Sequence, residues 1–182
     1  LATPGLTYQL LNGAGASERE ADLLILAGEV GGDDSGPDAA RRAQVRRRQP
    51  GFALAEVRHG GYLVGYATGH PLRPSTSWWR DLTAPLPAAV TAEHPGRTFA
   101  LTELAVRASW RRQGIGRELH DLLLDGRAEE RATLTVAPGA SAAQHALRAW
   151  GWRKLARTRG DGPDGLVLDV MLRDLPGGAP GR

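Results

Sequence analysis

The stretch Leu104-Ala105-Val106-Arg107-Ala108-Ser109-Trp110-Arg111-Arg112-Gln113-Gly114-Ile115-Gly116-Arg117 decides the reading of this 182-residue chain. Upstream, the apolar run Thr98–Val106 reads as a strand. Downstream, Ile115, Leu119, Leu122 and Leu123 fall on one face of a helix expected from Gly114 to about Glu129. A strand therefore enters a short basic loop, Arg107–Gln113, and leaves it through a helix N-terminus. The first N–H groups of a helix have no intrahelical acceptor, and the macrodipole favours negative charge beside them. Gly114 and Gly116 remove Cβ atoms where a diphosphate would meet the backbone. Arg111, Arg112 and Arg117 add charge that does not titrate near neutrality. The stretch predicts a diphosphate-binding turn.

Two common diphosphate motifs are excluded. No Lys-Ser or Lys-Thr follows the glycines, so this is not a P-loop. A dinucleotide fingerprint needs a third glycine near position 119, where Leu119 stands. Gly13-Ala14-Gly15 lacks a third glycine as well and reads as a turn.

Outward from the turn the chain alternates strands and helices. Thr7–Leu11 reads as a first strand. Ser17-x-x-Glu20 has capping-box spacing ahead of a helix over Ala21–Val30. Pro37 opens a second helix, Asp38–Gln49, which Pro50-Gly51 ends. Phe52–His59 and Tyr62–Gly69 flank Gly60-Gly61 as a β-hairpin. Residues 71–97 form a long Pro- and Thr-rich connection containing Trp78 and Trp79. After the central helix come a strand, Ala132–Val136, and a helix started by Ser141-x-x-Gln144 and ended at Gly151. A last strand spans Leu166–Leu172. The order β-α-α-β-β-β-α-β-α-β is that of a mixed α/β domain. A single domain over 1–174 is expected, with 175–182 a flexible tail.

Composition narrows the function classes. There is no cysteine, hence no disulfide framework and no thiol nucleophile. That favours a reducing, cytoplasmic location. Five histidines without ligand spacing make a metal site unexpected. The longest apolar run, Leu23–Ala27, is too short for a membrane, and no signal-peptide pattern opens the chain. Lys154 is the only lysine among 23 basic residues, and the net charge is +3. Nucleic acid is not an expected partner at that charge. Arg41, Arg42, Arg46, Arg47 and Arg48 cluster on the second helix without interleaved aromatics, so a solvated face is expected there. An Arg-rich interaction surface is the rival use of that cluster.

Arg111-x-x-Gly114-x-Gly116 resembles the [Q/R]-x-x-G-x-[G/A] signature of the GNAT superfamily of N-acetyltransferases. Leu104-Ala105-Val106 before it, Arg117-x-Leu119 after it, and Ala143 with Gly151-Trp152 extend the likeness. The element order is similar to the GNAT fold over about residues 7–172. The resemblance implies a central twisted mixed sheet splayed between the fourth and fifth strands, flanked by about four helices. It implies acetyl-CoA as co-substrate, no metal, a primary amine acceptor and, in many members, a homodimer. Backbone amides of Gln113, Gly114, Ile115, Gly116 and Arg117, with Arg111 and Arg112, would hold the pyrophosphate. The main chain of Leu104, Ala105 and Val106 would pair with the pantetheine arm. The strands holding Leu104 and Leu134 would admit the thioester between them.

Glu103, a carboxylate in an otherwise apolar strand, is the candidate base. Its other reading is a partner for one of the arginines. The family spacing N-x-x-A-x-x-x-Y-x-x-x-G-F puts the usual tyrosine acid at Leu147 and the asparagine at Ala140. Ser141 is the nearest replacement for that asparagine on the cofactor side. With both polar groups missing, a CoA-binding regulatory module without turnover is the alternative. Trp78, Trp79 and His70 are candidates for the acceptor side. The tryptophans equally suit an anchor for the long loop. His120 reads as a packed histidine.

Overall fold

A computed structural model describes residues 5–31, 37–160 and 165–178. Two compact units form: one from residues up to His70 together with Leu101–Asp125, the other from Pro71–Ala100 together with residues from Gly126 on. Seven strands make a mixed sheet: β1 (Leu6–Asn12), β2 (Ala53–His59), β3 (Tyr62–Pro71), β4 (Thr98–Val106), β5 (Arg131–Val136), β6 (Arg153–Arg159) and β7 (Val167–Asp174). The order runs β1-β2-β3-β4 in the first unit and β4-β5-β7-β6 in the second, with β4 lending residues to each. The helices are α1 (Gly13–Ser17), α2 (Glu20–Gly31), α3 (Pro37–Arg47), α4 (Ala88–Thr91), α5 (Ile115–Leu124) and α6 (Ser141–Ala149). The mixed α/β class expected from sequence is the one observed. Among the described residues no helix is long and apolar enough to cross a membrane.

In the first unit, β1 pairs antiparallel with β2 from Leu6↔His59 to Asn12↔Ala53, and β2 pairs antiparallel with β3. Gly60 and Gly61, both at positive φ, make the hairpin turn. The buried residues alternate little along β2 and β3, as expected where both faces are covered. Ala16, Leu23, Leu26, Phe52, Leu54, Leu63, Tyr66 and Ala105 form this core. Ion pairs fix the start of α2 to the sheet. Arg19 reaches Glu56 at 3.3 Å, and Arg58 reaches Asp22 at 2.8 Å. Arg47 of α3 pairs with Glu20, and Glu29 near the other end of α2 pairs with Arg107.

In the second unit, β4 and β5 run parallel over Thr98–Ala100 and Arg131–Thr133. β7 pairs antiparallel with both β5 and β6. Leu72, Trp79, Ala100, Val170 and Leu172 form this core, with Trp78 packed against it. The Trp79 indole N–H donates to Glu93 at 3.0 Å, and Arg131 and Thr98 donate to the same carboxylate at 3.0 and 2.9 Å. The long connection is thereby bolted to β4 and β5.

Several local expectations are corrected. Gly13–Gly15 is not a turn but the start of α1, capped by the Asn12 side chain, which accepts from the Gly15 amide at 3.0 Å. Ser17 ends that helix, and its hydroxyl donates back to Gly13 O at 3.0 Å, so no capping box forms with Glu20. Helix α5 stops at Leu124, five residues short of Glu129, because Asp125 is extended and Gly126 sits at φ 72°. Strand β6 was not foreseen. At the C-terminus Leu175 is buried and its amide donates to Glu130 O at 2.9 Å. Pro176–Gly178 is a 3₁₀ turn, and the remainder of the expected tail, 179–182, lies outside the described residues.

Glycine 65 on β3 sets a tight approach to the end of β4. A Cβ there would lie 2.8 Å from the Ala105 carbonyl oxygen, 3.1 Å from Leu119 and 3.2 Å from Val106. Gly65→Ala is expected to cost about 1–3 kcal/mol, since overpacking against backbone cannot be relieved by a rotamer change. Gly139→Ala, where a Cβ meets nothing within 4 Å, is expected to stay within about 0.5 kcal/mol of the parent. Urea denaturation of both variants checks the contrast; equal midpoints would remove the constraint assigned to Gly65.

Candidate functional site

Between β4 and α5 the chain makes a 3₁₀ turn at Ala108–Trp110. Arg111 is then extended, and its Nε donates to Val106 O at 3.0 Å, which closes the loop on itself. The Gln113 amide does the same to Ser109 O at 3.3 Å. Arg112 has φ 60°, the one positive value at a non-glycine among the described residues, and Gly114 follows at φ 85° as the N-cap of α5. Left-handed residues spaced this way turn successive N–H groups toward one side, the arrangement that makes anion-binding concavities. The first amides to close back on the helix are those of Arg117 and Glu118, both to Gly114 O, at 2.9 and 3.1 Å. The amides of Ile115 and Gly116 therefore stand ahead of the helix's own hydrogen bonds.

The side chains of this turn divide the work. Ile115 is buried and anchors it with Leu119 and Leu123. Arg112 and Gln113 are exposed. Arg117 is bound to Asp121 at 2.5 Å, so it is less available than its sequence position suggests. His120 is fully buried, with Nδ1 2.7 Å from Asp121 Oδ1, and is a packed histidine.

Beside β4 the same unit holds a cavity of about 690 Å³. Its walls come from α2 (Leu23, Leu24, Ala27), from α3 (Arg42, Arg46, Arg47) and from β3 and β4 (Tyr66, Thr68, Thr102, Glu103). Leu104 and Ala105, expected on the cofactor side, also line it. Glu103 is partly exposed at 29% and accepts two hydrogen bonds, one from Arg46 and one from the Tyr66 hydroxyl at 2.9 Å. Burial, and then the Glu103 carboxylate, push the Tyr66 phenol well above its ordinary range, so it stays a hydrogen-bond donor. Of the two sequence readings of Glu103, the pairing with an arginine is observed, and the carboxylate also lines the cavity.

Sequence reasoning missed Tyr66 and read Arg46 and Arg47 as part of a solvated face. The α3 cluster is not uniformly solvated. Arg41, Arg42 and Arg48 are exposed, but Arg47 is 7% exposed and Arg46 bonds Glu103. One signal was available for Tyr66, a hydroxyl-bearing aromatic set between Gly65 and Ala67 in the middle of β3. His70, near the end of β3, is half-buried and is not among the lining residues.

The other expected site residues belong to the second unit. Trp78 and Trp79 anchor the long connection in its core. Ser141 is exposed and opens α6, whose N-cap, Ala140, offers no side-chain acceptor. Gln144 does not cap that helix either; its amide donates to Asp169 Oδ2 at 3.0 Å. Leu147 is buried.

Residues 21–152 match the model of the acetyltransferase (GNAT) family. No curated protein matches the chain. Among solved structures it is similar to Ard1 from Thermoplasma volcanium, with 15% identity and a TM-score of 0.66 over 94% of this chain and 98% of that one. The ribosomal-protein-S18-alanine N-acetyltransferase of Escherichia coli is similar at 15% identity and TM-score 0.67, over 93% and 94%. Naa50 of Arabidopsis thaliana, in complex with the bisubstrate analogue CoA-Ac-MVNAL, is similar at 13% identity and TM-score 0.64, over 93% and 98%. At these identities the likeness is one of fold.

The helix opened by Ser141 depends on Asp169. Lys154 at 2.7 Å, then Gln144 and Arg157, hold the Asp169 carboxyl below the ordinary carboxylate range against the opposing effect of burial. A depressed folded value contributes stability above the unfolded value of about 3.9 and loses it as pH falls through the folded one. Asp169→Asn is expected to cost about 1–3 kcal/mol at pH 7 and to flatten the acid limb of the stability profile. Urea titrations at neutral and acid pH check this; equal losses at both would show that the charge of Asp169 is not what matters.

Proposed function

The chain belongs to the GNAT acetyltransferase family, and from that premise we propose that it transfers an acetyl group directly from acetyl-CoA to a primary amine of a small molecule, peptide or protein. The observation that carries the reading is the left-handed pair Arg112 and Gly114 at the head of α5. A Cβ at Gly114 would meet nothing within 4 Å, so the turn opens onto free space rather than onto packed protein. A diphosphate fits that space, that backbone and the exposed charge of Arg112.

In this reading the backbone amides of Gln113 to Arg117 bind the pyrophosphate, with Arg111 and Arg112 adding charge. The main chain of Leu104, Ala105 and Val106 pairs with the pantetheine arm. Bound acetyl-CoA supplies a thioester carbonyl as electrophile and a thiolate as leaving group. Glu103 takes the proton from the attacking amine as the N–C bond forms and the C–S bond breaks. Tyr66 and Arg46 hold the Glu103 carboxylate in one orientation. The departing thiolate takes its proton from water, since Leu147 has none to give.

The buried, apolar Leu147 favours a second reading, a CoA-binding regulatory module without turnover. Calorimetry with acetyl-CoA and a thiol-release assay over an amine panel separate the two. Binding with release supports transfer; binding without release from any amine supports the module. Gly114→Asp is expected to weaken acetyl-CoA binding by at least about tenfold, because a carboxylate would stand where the diphosphate goes. Unchanged affinity would count against the turn. Glu103→Gln is expected to lower kcat by about 10²–10⁴-fold with acetyl-CoA affinity unaltered. A kcat within about twofold of the parent would remove Glu103 from the role of base.

A further inference from the structure

The strand side of the cavity beside Glu103 has a hydrogen-bonding polarity that can be counted. Tyr66 and Thr68 stand two apart on β3 and so share one face of the sheet. They bond consecutive residues of β4: the Tyr66 hydroxyl reaches Glu103 at 2.9 Å, and the Thr68 hydroxyl reaches that of Thr102 at 3.0 Å. Neighbours on a regular strand point to opposite faces. Here both Thr102 and Glu103 meet side chains from one face of β3, and all four residues line the cavity.

Every donor in this set of four is spent within the protein. The Tyr66 O–H goes to Glu103. The Thr102 hydroxyl donates to Thr68 O at 3.3 Å. A hydroxyl has one hydrogen, so Thr68 is the donor in the contact between the two hydroxyls. What remains is acceptor capacity. Arg46 occupies one Glu103 oxygen and Tyr66 the other, and each oxygen keeps a second lone pair. Thr102 Oγ1 receives Thr68 and keeps one lone pair as well. Thr102 and Glu103 are half-buried and Thr68 is buried, which makes β4 the more open side of the set. An acceptor-only surface suits a group that brings more than one N–H.

We propose that Thr102 accepts the second N–H of the attacking amine and makes the site selective for primary over secondary amines, with Thr68 as the residue that positions the Thr102 hydroxyl. The proposal rests on the transferase reading above. As the N–C bond forms and the C–S bond breaks, one amine proton passes to Glu103. The other hydrogen stays on the nitrogen, becomes the amide N–H of the product, and is the one that Thr102 holds. A neutral secondary amine gives its single N–H to Glu103 and turns an alkyl group toward Thr102, whose free lone pair then has no partner.

The test uses the full chain with acetyl-CoA and follows thiol release. Hexylamine and leucinamide are compared with their N-methyl derivatives, with rates expressed per unprotonated amine; their alkyl parts suit Leu23, Leu24 and Ala27 of the cavity wall. Each primary amine is expected to exceed its N-methyl partner in kcat/KM by about tenfold or more. Thr102→Val is expected to lower kcat/KM for the primary amines by about three- to tenfold, the worth of one neutral hydrogen bond, and to leave the N-methyl amines within about twofold. The primary-to-secondary ratio therefore falls, which a merely structural role for Thr102 would not produce. Thr102→Ser keeps the oxygen and is expected to keep the parental ratio. Acetyl-CoA affinity reports that each variant is folded. Should Thr102→Val not fold, the double variant Thr68→Val with Thr102→Val, which strands neither hydroxyl, carries the same expectation. Primary and N-methyl amines at equal rates in the parent, or a ratio unmoved in the folded valine variant, overturns the assignment to Thr102 and leaves acetyl transfer standing. Acetyl-CoA binding without release from either primary amine overturns the transfer reading, and this assignment with it.

Discussion

No methyl group fits at position 65. That constraint brings β3 so close to the end of β4 that the Ala105 carbonyl, the Val106 side chain and Leu119 of α5 all meet at one point. The consequence is positional. The strand that carries Glu103 and Leu104 is locked against the strand that carries Tyr66, and the Tyr66 hydroxyl reaches Glu103 at 2.9 Å. The same contact seats Leu119 and hence α5, whose N-terminus forms the turn. Dense packing transmits a displacement of a few tenths of an ångström from one of these groups to the others.

Around that packed centre the arginines act as fasteners. Exposed ion pairs are worth little in themselves. Most of those around α2 have one buried partner: Glu56 with Arg19, Arg47 with Glu20, Arg107 with Glu29. Such pairs fix geometry because breaking one strands a charge away from water. Arg107 shows the economy of the planar guanidinium. It donates to Leu63 O at 2.7 Å, pairs with Glu29, and lies over the Tyr62 ring at 4.2 Å. A helix held at both ends by such contacts presents a fixed wall to the cavity.

What the sequence revealed followed the strength of its local signals. Thr98–Val106 was read to the residue because its apolar character is interrupted only by Thr102 and Glu103 and its end is marked by arginine. The hairpin was legible because Gly60-Gly61 has no other use. Strand β6 was not legible. Its sequence, Arg-Lys-Leu-Ala-Arg-Thr-Arg, is mostly basic and exposed, and it is a strand because β7 supplies backbone partners, not because it buries a face. The two apparent capping boxes failed for a related reason. Long-range acceptors and donors outcompeted local ones: Arg47 took Glu20, and Asp169 took Gln144. Glu103 could be picked out as a lone carboxylate in an apolar strand, whereas its partners Tyr66 and Arg46 lie 37 and 57 residues away and no spacing rule connects them.

The buried leucine at 147 bears on how much catalytic power the proposed transfer can have. An alkyl amine with a pKa of about 10.4 must lose a proton at pH 7, at a cost of about 4–5 kcal/mol, while a thiolate with a pKa of about 8.5 needs only about 2 kcal/mol to leave unprotonated. The first term is the larger, and in the proposed transfer it falls to Glu103, which holds Arg46 on one oxygen and Tyr66 on the other. Tyr66 cannot stand in for the missing acid, because burial and Glu103 keep its proton in place. Under the proposed mechanism, a base without an acid forgoes the smaller contribution. For the proposed transfer, the leucine is therefore weak grounds for a silent enzyme.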